Sequence, residues 1–138
     1  MRTITIVTLF CLFQLAHAGE NAERVGGFVA AFNQQDIDAM LELAATDLRW
    51  MSVSGDQVAV ETSTHAELRT AMESYFETTP GARADIRSIS ESGPFVHTVE
   101  QAFWLLQGAE KSQCSMAVYE LADHRIQNVW YFPGYPCP

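Results

Sequence analysis

Apolar residues recur at helical spacing in the first half of the chain and follow strand-like patterns in the second half. This change of period constrains the fold most strongly, because helices bury one stripe whereas strands bury alternate residues. Two helix starts carry capping signals, Asp36 at the second helix and the capping box Thr64-His65-Ala66-Glu67 at the third. The three predicted stripes are Val25, Phe28, Val29 and Phe32; Ile37, Met40, Leu41 and Ala44; and Leu68, Met72, Tyr75 and Phe76.

Six strands are predicted between turn signals rich in glycine, proline and aspartate. Two short ones precede the third helix, and the four longer ones follow it. Helices first and a strongly curved antiparallel sheet after them predict an α+β fold. The predicted strands are 48–53, 57–60, 82–90, 95–106, 111–121 and 125–132.

The first 18 residues have the pattern of a signal peptide. Arg2 precedes an apolar run over 4–15, and Ala16-His17-Ala18 has the small-residue spacing of a cleavage site. We therefore predict a leader at 1–18 and one domain at 19–138, exported to the periplasm or secreted. The alternative is an uncleaved N-terminal anchor, although the run is shorter than the roughly 20 residues that span a bilayer.

The charge balance excludes two classes of partner. The formal net charge is −9 and becomes −10 when Arg2 leaves with the leader, and the chain has no basic cluster. Such a surface repels phosphate backbones and anionic lipids. We therefore expect no nucleic-acid partner and no membrane association after cleavage.

Two cysteines remain after the leader, Cys114 and Cys137. Export permits a disulfide, and two cysteines allow one intramolecular pairing, so we predict this bond; two free thiols are the alternative. The chain has no CxxC motif and no His/Cys cluster at ligand spacing, so we predict no metal and no cofactor.

Two predicted hairpin loops, Gly108-Ala109 and Asp123-His124, set the register of the last three strands. In that register Glu100 lies opposite Ala117, which in turn lies opposite Trp130. One sheet face then becomes an aromatic bowl with a few polar groups, the composition of a small-molecule pocket. The bowl carries Val96, Glu100, Trp104, Gln113, Tyr119, Leu121, Ile126, Asn128, Trp130 and Phe132. The opposite face, which needs a cover such as a second copy of the chain, carries His97, Val99, Phe103, Cys114, Met116, Val118, Val129 and Tyr131.

Three segments resemble the SnoaL-like branch of the nuclear transport factor 2-like superfamily: 28–47 (FVAAFNQQDIDAMLELAATD), 48–55 and 118–133. The resemblance implies a cone-shaped fold, in which a curved sheet wraps around the helices and encloses a conical apolar pocket. It does not imply one function, because the superfamily includes isomerases, cyclases, hydratases and scaffold subunits.

The ketosteroid isomerases of this superfamily use a tyrosine, a base aspartate and a neutral aspartic acid. The resemblance places Phe28, Ser52 and Ala117 at these three positions. A phenyl group cannot donate a hydrogen bond, and a serine hydroxyl is a weak base at neutral pH. We therefore do not expect that mechanism here.

Glu100 is the one carboxylate that the predicted register places in the bowl, and it is our candidate general acid or base. The alternative is a structural Glu100 that pairs with an arginine or reaches solvent at the rim. The predicted ligand-contacting residues are Phe28, Trp50, Ser52, Tyr75, Trp104, Gln113, Tyr119, Asn128 and Trp130.

Three functions stay open at this level. The first is a module that binds a small apolar or amphipathic molecule outside the cytoplasm. The second is an isomerase, cyclase or hydratase that uses Glu100 as its acid–base group. The third is a homodimeric structural or interaction subunit that uses the outer sheet face. Sedimentation that shows a monomer at all concentrations would count against this third function.

Overall fold

A computed structural model describes residues 19–138, so the predicted leader and its cleavage site lie outside the described residues. The predicted α+β order is confirmed. Two helices precede the first strand, and the third helix follows the second strand. All strands within residues 19–138 belong to one six-stranded sheet. The helices are α1 (Glu20–Asn33), α2 (Ile37–Leu43) and α3 (His65–Thr78). The strands are β1 (Ala44–Ser54), β2 (Gln57–Thr62), β3 (Arg83–Ser92), β4 (Phe95–Leu106), β5 (Ala109–Ala122) and β6 (Arg125–Tyr131).

The predicted caps form at both helix starts. The Asp36 carboxylate accepts a hydrogen bond from the Ala39 amide, and the Thr64 hydroxyl accepts one from the Glu67 amide. The Glu67 carboxylate accepts a hydrogen bond from the amide of Ser63 rather than from that of Thr64, so the capping box closes one residue earlier than predicted. These bonds satisfy amides that the first helical turn leaves without partners.

The strands lie in the order β2-β1-β6-β5-β4-β3. All neighbours are antiparallel except β1 and β6, which pair in parallel, so the predicted fully antiparallel sheet is corrected to a mixed one. Ala44 pairs with Ile126 and therefore begins β1 instead of ending the second helical stripe. The helices pack on the concave face, where the core includes Val25, Phe28, Met40, Leu48, Leu68, Val96, Ile126 and Val129.

The turn between β4 and β5 lies one residue earlier than predicted. Gln107 and Gly108 have positive φ angles of 53° and 79°, and they form the two-residue loop. Glu100 is consequently opposite Ser115 rather than Ala117. Because the register moves by two residues, every side chain of the two strands keeps its predicted face.

The turn between β5 and β6 is confirmed at Asp123-His124, whose φ angles are 48° and 60°. Beyond it a β-bulge interrupts the ladder. Leu121 pairs with Ile126, but Glu120 pairs with Asn128, so β6 contains one extra residue. The alternation of β6 is reversed after the bulge.

This bulge corrects four predicted positions in β6. Tyr131 and Val129 face the helices, whereas Asn128 and Trp130 lie on the outer face. Strand alternation without a bulge predicts the opposite arrangement for all four. The extra residue, Gln127, is held by its side chain, which donates to the backbone and side-chain oxygens of Asp47.

The outer face of the sheet exposes large apolar side chains. Val58 and Val60 of β2 are 57% and 55% exposed, and Met116 of β5 is 40% exposed. An uncovered apolar surface of this kind is typical of a contact face, and the homodimer stays a prediction. None of the helices within residues 19–138 is both long and apolar enough to cross a bilayer.

The C-terminal segment continues the sheet beyond β6 and is pinned at its end. The Phe132 amide donates to the Met116 carbonyl, and Tyr135 exchanges two backbone hydrogen bonds with Cys114. Cys114 and Cys137 form the predicted disulfide, with a sequence separation of 23. The bond therefore holds the last residues of the chain against β5.

Removal of this bond should destabilise the domain. A loop of this length predicts a loss of about 3 kcal/mol in the free energy of unfolding for Cys114→Ser/Cys137→Ser, because the unfolded chain gains entropy. Urea unfolding, monitored by circular dichroism, measures this loss. Wild-type protein in a strong reductant should match the double variant, and equal stability of all three samples would contradict the prediction.

Candidate functional site

A cavity of about 300 Å³ lies between the helices and the concave face of the sheet. Its wall is mostly apolar, and most of its polar groups come from β4, β5 and β6. Such a volume and composition match the lower range of small-molecule sites. The cavity is lined by Phe28, Val29, Phe32, Met40, Trp50, Met72, Tyr75, Ala84, Glu100, Ala102, Gln113, Ser115, Tyr119 and Tyr131.

Glu100 is the charged group of this cavity and is only 3% exposed. Three hydroxyl groups from three neighbouring strands surround its carboxylate. Thr98 and Tyr119 each donate to Oε1 at 2.7 Å, and Tyr131 donates to Oε2 at 3.0 Å. Burial of a carboxylate costs free energy unless hydrogen-bond donors replace the lost water, and these three hydroxyls offset that cost.

Within residues 19–138, no ion pair includes Glu100, and no lysine, arginine or histidine lines the cavity. The carboxylate therefore neither pairs with an arginine nor reaches the rim. In the same part of the chain, no three His, Cys, Asp or Glu side chains lie close enough to hold a metal ion.

The tyrosines of the cavity are held in their protonated form. Burial raises the pKa of Tyr119 well above its ordinary value, and the nearby Glu100 charge raises it further. The same two causes, in the same order, raise the pKa of Tyr131. Burial alone raises the pKa of Tyr75. At neutral pH these residues therefore present hydroxyl groups, not tyrosinates.

Aromatic rings build most of the cavity wall. Trp50 lies between Phe28 and Tyr131, with ring centroids 6.1 and 5.8 Å apart and interplanar angles of 28° and 25°. On the other side, Phe32 packs against Tyr75 of α3 at 6.0 Å. Such aromatic pairs stabilise the wall by about 0.5–1.5 kcal/mol each beyond the area that they bury.

The structure brings together six of the ten residues predicted for catalysis or ligand contact. Three come from the sheet hairpin β4–β5, and the other three come from α1, β1 and α3. Their place on the cavity wall is structural, and their roles toward a ligand stay predictions. The six are Phe28, Trp50, Tyr75, Glu100, Gln113 and Tyr119.

Two of the other four residues are displaced by the bulge in β6. Asn128 lies on the outer face, where its side chain accepts from Arg49 at 3.0 Å and donates to Glu120 at 2.6 Å. Trp130 is opposite Val118 on the same face. Their predicted contact with the pocket is therefore wrong.

Ser52 and Trp104 are also not part of the cavity wall. The Ser52 hydroxyl donates to the Glu61 carboxylate of β2 at 2.5 Å. Trp104 lines a shallow depression near the end of β4 together with Leu105 and Leu106. Alternation placed Trp104 on the concave face correctly, but the cavity ends at Ala102, one inward position earlier.

Three residues of the candidate site were not in the predicted set. Tyr131 and Ser115 line the cavity, and Thr98 donates to Glu100. Ser115 and Thr98 follow from strand alternation and were within reach of the register argument. Tyr131 was missed because its face depends on the bulge. An added residue within a strand leaves no periodic signal that alternation can detect.

The model of a SnoaL-like domain matches residues 25–129. This chain belongs to the SnoaL-like domain family. The expected resemblance and its cone-shaped fold are thereby confirmed. No curated protein sequence matches the chain significantly.

Solved structures share the fold of this SnoaL-like domain at low sequence identity. An uncharacterised cystatin-fold protein from Novosphingobium aromaticivorans is 20% identical, with a TM-score of 0.71 over 82% of this chain and 97% of that one. An epoxide hydrolase of the LEH-like type from M. tuberculosis is 19% identical, with a TM-score of 0.69 over 82% and 81%. A Catenulispora acidiphila protein with a ketosteroid isomerase-like fold, in complex with trimethylamine, is 12% identical, with a TM-score of 0.69 over 83% and 85%.

The raised pKa values of Tyr119 and Tyr131 predict a loss of stability in alkali. Above about pH 10 the unfolded tyrosines lose their protons while the folded ones keep them, so the folded state binds more protons. The free energy of unfolding should therefore be steady below about pH 10 and fall above it, by up to about 1.4 kcal/mol per pH unit for each residue. Urea titrations between pH 8 and 11.5 measure this slope.

The variant Tyr131→Phe supplies the comparison. It should be less stable than wild type at pH 8 by about 1–3 kcal/mol, because Glu100 loses a hydrogen-bond donor, and its alkaline slope should be smaller. A stability that does not change up to pH 11.5 would contradict the assignment.

Proposed function

We propose that this SnoaL-like domain binds a small apolar or amphipathic molecule in the cavity between its helices and its sheet. The observation that carries this proposal is an apolar cavity of about 300 Å³ with a single buried carboxylate in its wall. Sites for small molecules combine apolar walls with a few polar groups that orient the ligand. Gln113 and Ser115 supply further polar atoms.

The comparisons support small-molecule chemistry in folds of this type. One neighbour holds trimethylamine, and another is an epoxide hydrolase. These are properties of those proteins, and fold alone does not transfer them. The proposal for this chain therefore rests on its own cavity.

We further propose that the domain works outside the cytoplasm. The Ala16-His17-Ala18 site follows an apolar run of leader length. The Cys114–Cys137 disulfide supports the same compartment, since such bonds persist in oxidising environments.

An acid–base enzyme is the second candidate, and the position of Glu100 favours it. The carboxylate lies inside the cavity, next to the hydroxyls of Tyr119 and Tyr131, which both donate to it. Once Glu100 has taken a proton from a substrate, one of these hydroxyls can turn and donate to the developing enolate. This arrangement does not reproduce the ketosteroid isomerase set, because Phe28, Ser52 and Ala117 occupy those three positions. Any proton transfer would therefore run through Glu100.

Filling the cavity should abolish ligand uptake. Ala102→Trp places an indole in the cavity, so the affinity for the neutral apolar dye N-phenyl-1-naphthylamine should fall at least about tenfold. Dye fluorescence titrated with protein measures this affinity. Ala122→Trp is the matched control, because Ala122 is exposed at the end of β5 and outside the cavity. No dye binding by wild type, or equal binding by both variants, would contradict the proposal.

Proton abstraction by Glu100 has its own test. Wild type should speed the exchange of the α-protons of 1-indanone in D₂O, and Glu100→Gln should lower that catalysed rate by about 100- to 10,000-fold. Proton NMR follows the exchange. Glu110→Gln, which removes an exposed carboxylate on β5 outside the cavity, should leave the rate unchanged. Equal rates for wild type and Glu100→Gln would exclude this candidate.

A further inference from the structure

We infer that the cavity selects organic cations, that is, small amphipathic molecules carrying an ammonium group that contacts Glu100. This inference rests on the proposed binding function and names the chemical class of its ligand. It concerns charge, which neither the apolar wall nor the fold specifies.

The first observation is the missing counter-charge of Glu100. The ion pairs within residues 19–138 all lie at the surface, and none includes this buried carboxylate. Its partners are three neutral hydroxyls. Buried charges in proteins are normally paired, so we expect the ligand to supply the positive charge that Glu100 lacks.

The second observation is the number of free acceptor positions. A carboxylate accepts about four hydrogen bonds, and Glu100 receives two at Oε1 and one at Oε2. Tyr119 and Tyr131 each donate their one hydroxyl proton to Glu100, so toward the cavity their oxygens can only accept hydrogen bonds. This cluster therefore offers lone pairs to the cavity, which match the N–H groups of an ammonium ion.

The third observation is the aromatic wall around this acceptor cluster. Ring faces attract cations, with contributions of about 0.5–2 kcal/mol each, and anions gain nothing comparable. The aromatic residues that line the cavity are Phe28, Phe32, Trp50, Tyr75, Tyr119 and Tyr131.

The charge of the whole molecule acts in the same direction. A formal net charge of −9 produces a negative field that raises the local concentration of cations and lowers that of anions. A carboxylate ligand would face Glu100 without any lysine, arginine or histidine in the cavity wall to offset the repulsion. A neutral ligand would leave Glu100 unpaired.

Three ligands of nearly equal shape isolate the effect of charge. At pH 7, 2-phenylethylamine is a cation, 2-phenylethanol is neutral and phenylacetate is an anion. Each displaces N-phenyl-1-naphthylamine from the cavity if it binds there, so one fluorescence assay ranks all three. We expect the amine to bind at least about tenfold more tightly than the alcohol, with phenylacetate weakest.

Two variants test the origin of this preference. Glu100→Gln keeps the shape of the side chain and removes its charge, so the amine-to-alcohol ratio should fall to within about threefold. Glu110→Gln removes one charge from the exposed surface and should keep the wild-type ratio. Circular dichroism checks the fold of both variants, and the wild-type ratio decides the matter by itself if Glu100→Gln does not fold.

The outcomes separate the two proposals. Alcohol and amine of equal affinity in wild type would overturn the cation preference and leave the binding function intact. The same holds if the dye binds and none of the three ligands displaces it. Failure of the dye itself to bind would overturn the proposed function, and the cation preference with it.

Discussion

The burial of the Glu100 carboxylate is the constraint on which the site depends. A desolvated carboxylate needs hydrogen-bond donors, and Thr98, Tyr119 and Tyr131 supply them from three consecutive strands of the sheet. Each donor is in place only if its strand has the observed register. The network therefore couples strand pairing to the chemistry of the cavity, and the bulge in β6 is the element that brings Tyr131 into it.

The acid of this cavity does not lie at any of the three positions that the resemblance to ketosteroid isomerases implies. The resemblance places Phe28 and Ala117 where ketosteroid isomerases have catalytic groups; both are buried apolar residues, and Phe28 lines the cavity. The acid of this chain is instead Glu100 on β4, opposite Ser115. A family-level assignment therefore gives the fold and leaves the ligand to be argued from the residues of the cavity.

Local signals predicted most of the fold because they depend on nearest neighbours. The helix stripes, the caps at Asp36 and Thr64, and the Asp123-His124 turn are all of this kind. The one-residue shift of the β4–β5 turn changed the strand pairing by two residues, so every side chain stayed on its predicted sheet face. The extra residue in β6 reverses a face, and with it the places of Trp130 and Tyr131. Alternation did not predict it, because the residue adds no periodic signal and its side chain contacts Asp47, which is distant in sequence.

A crystal structure of residues 19–138 tests the central claim most directly, since that claim concerns an open cavity with a buried acid. The account predicts Glu100 inside the cavity, with the hydroxyls of Tyr119 and Tyr131 within hydrogen-bond distance and density for a small molecule or ordered water beside Oε2. A cavity closed by the rings of Trp50 and Tyr131, or a Glu100 side chain turned to solvent, would contradict it.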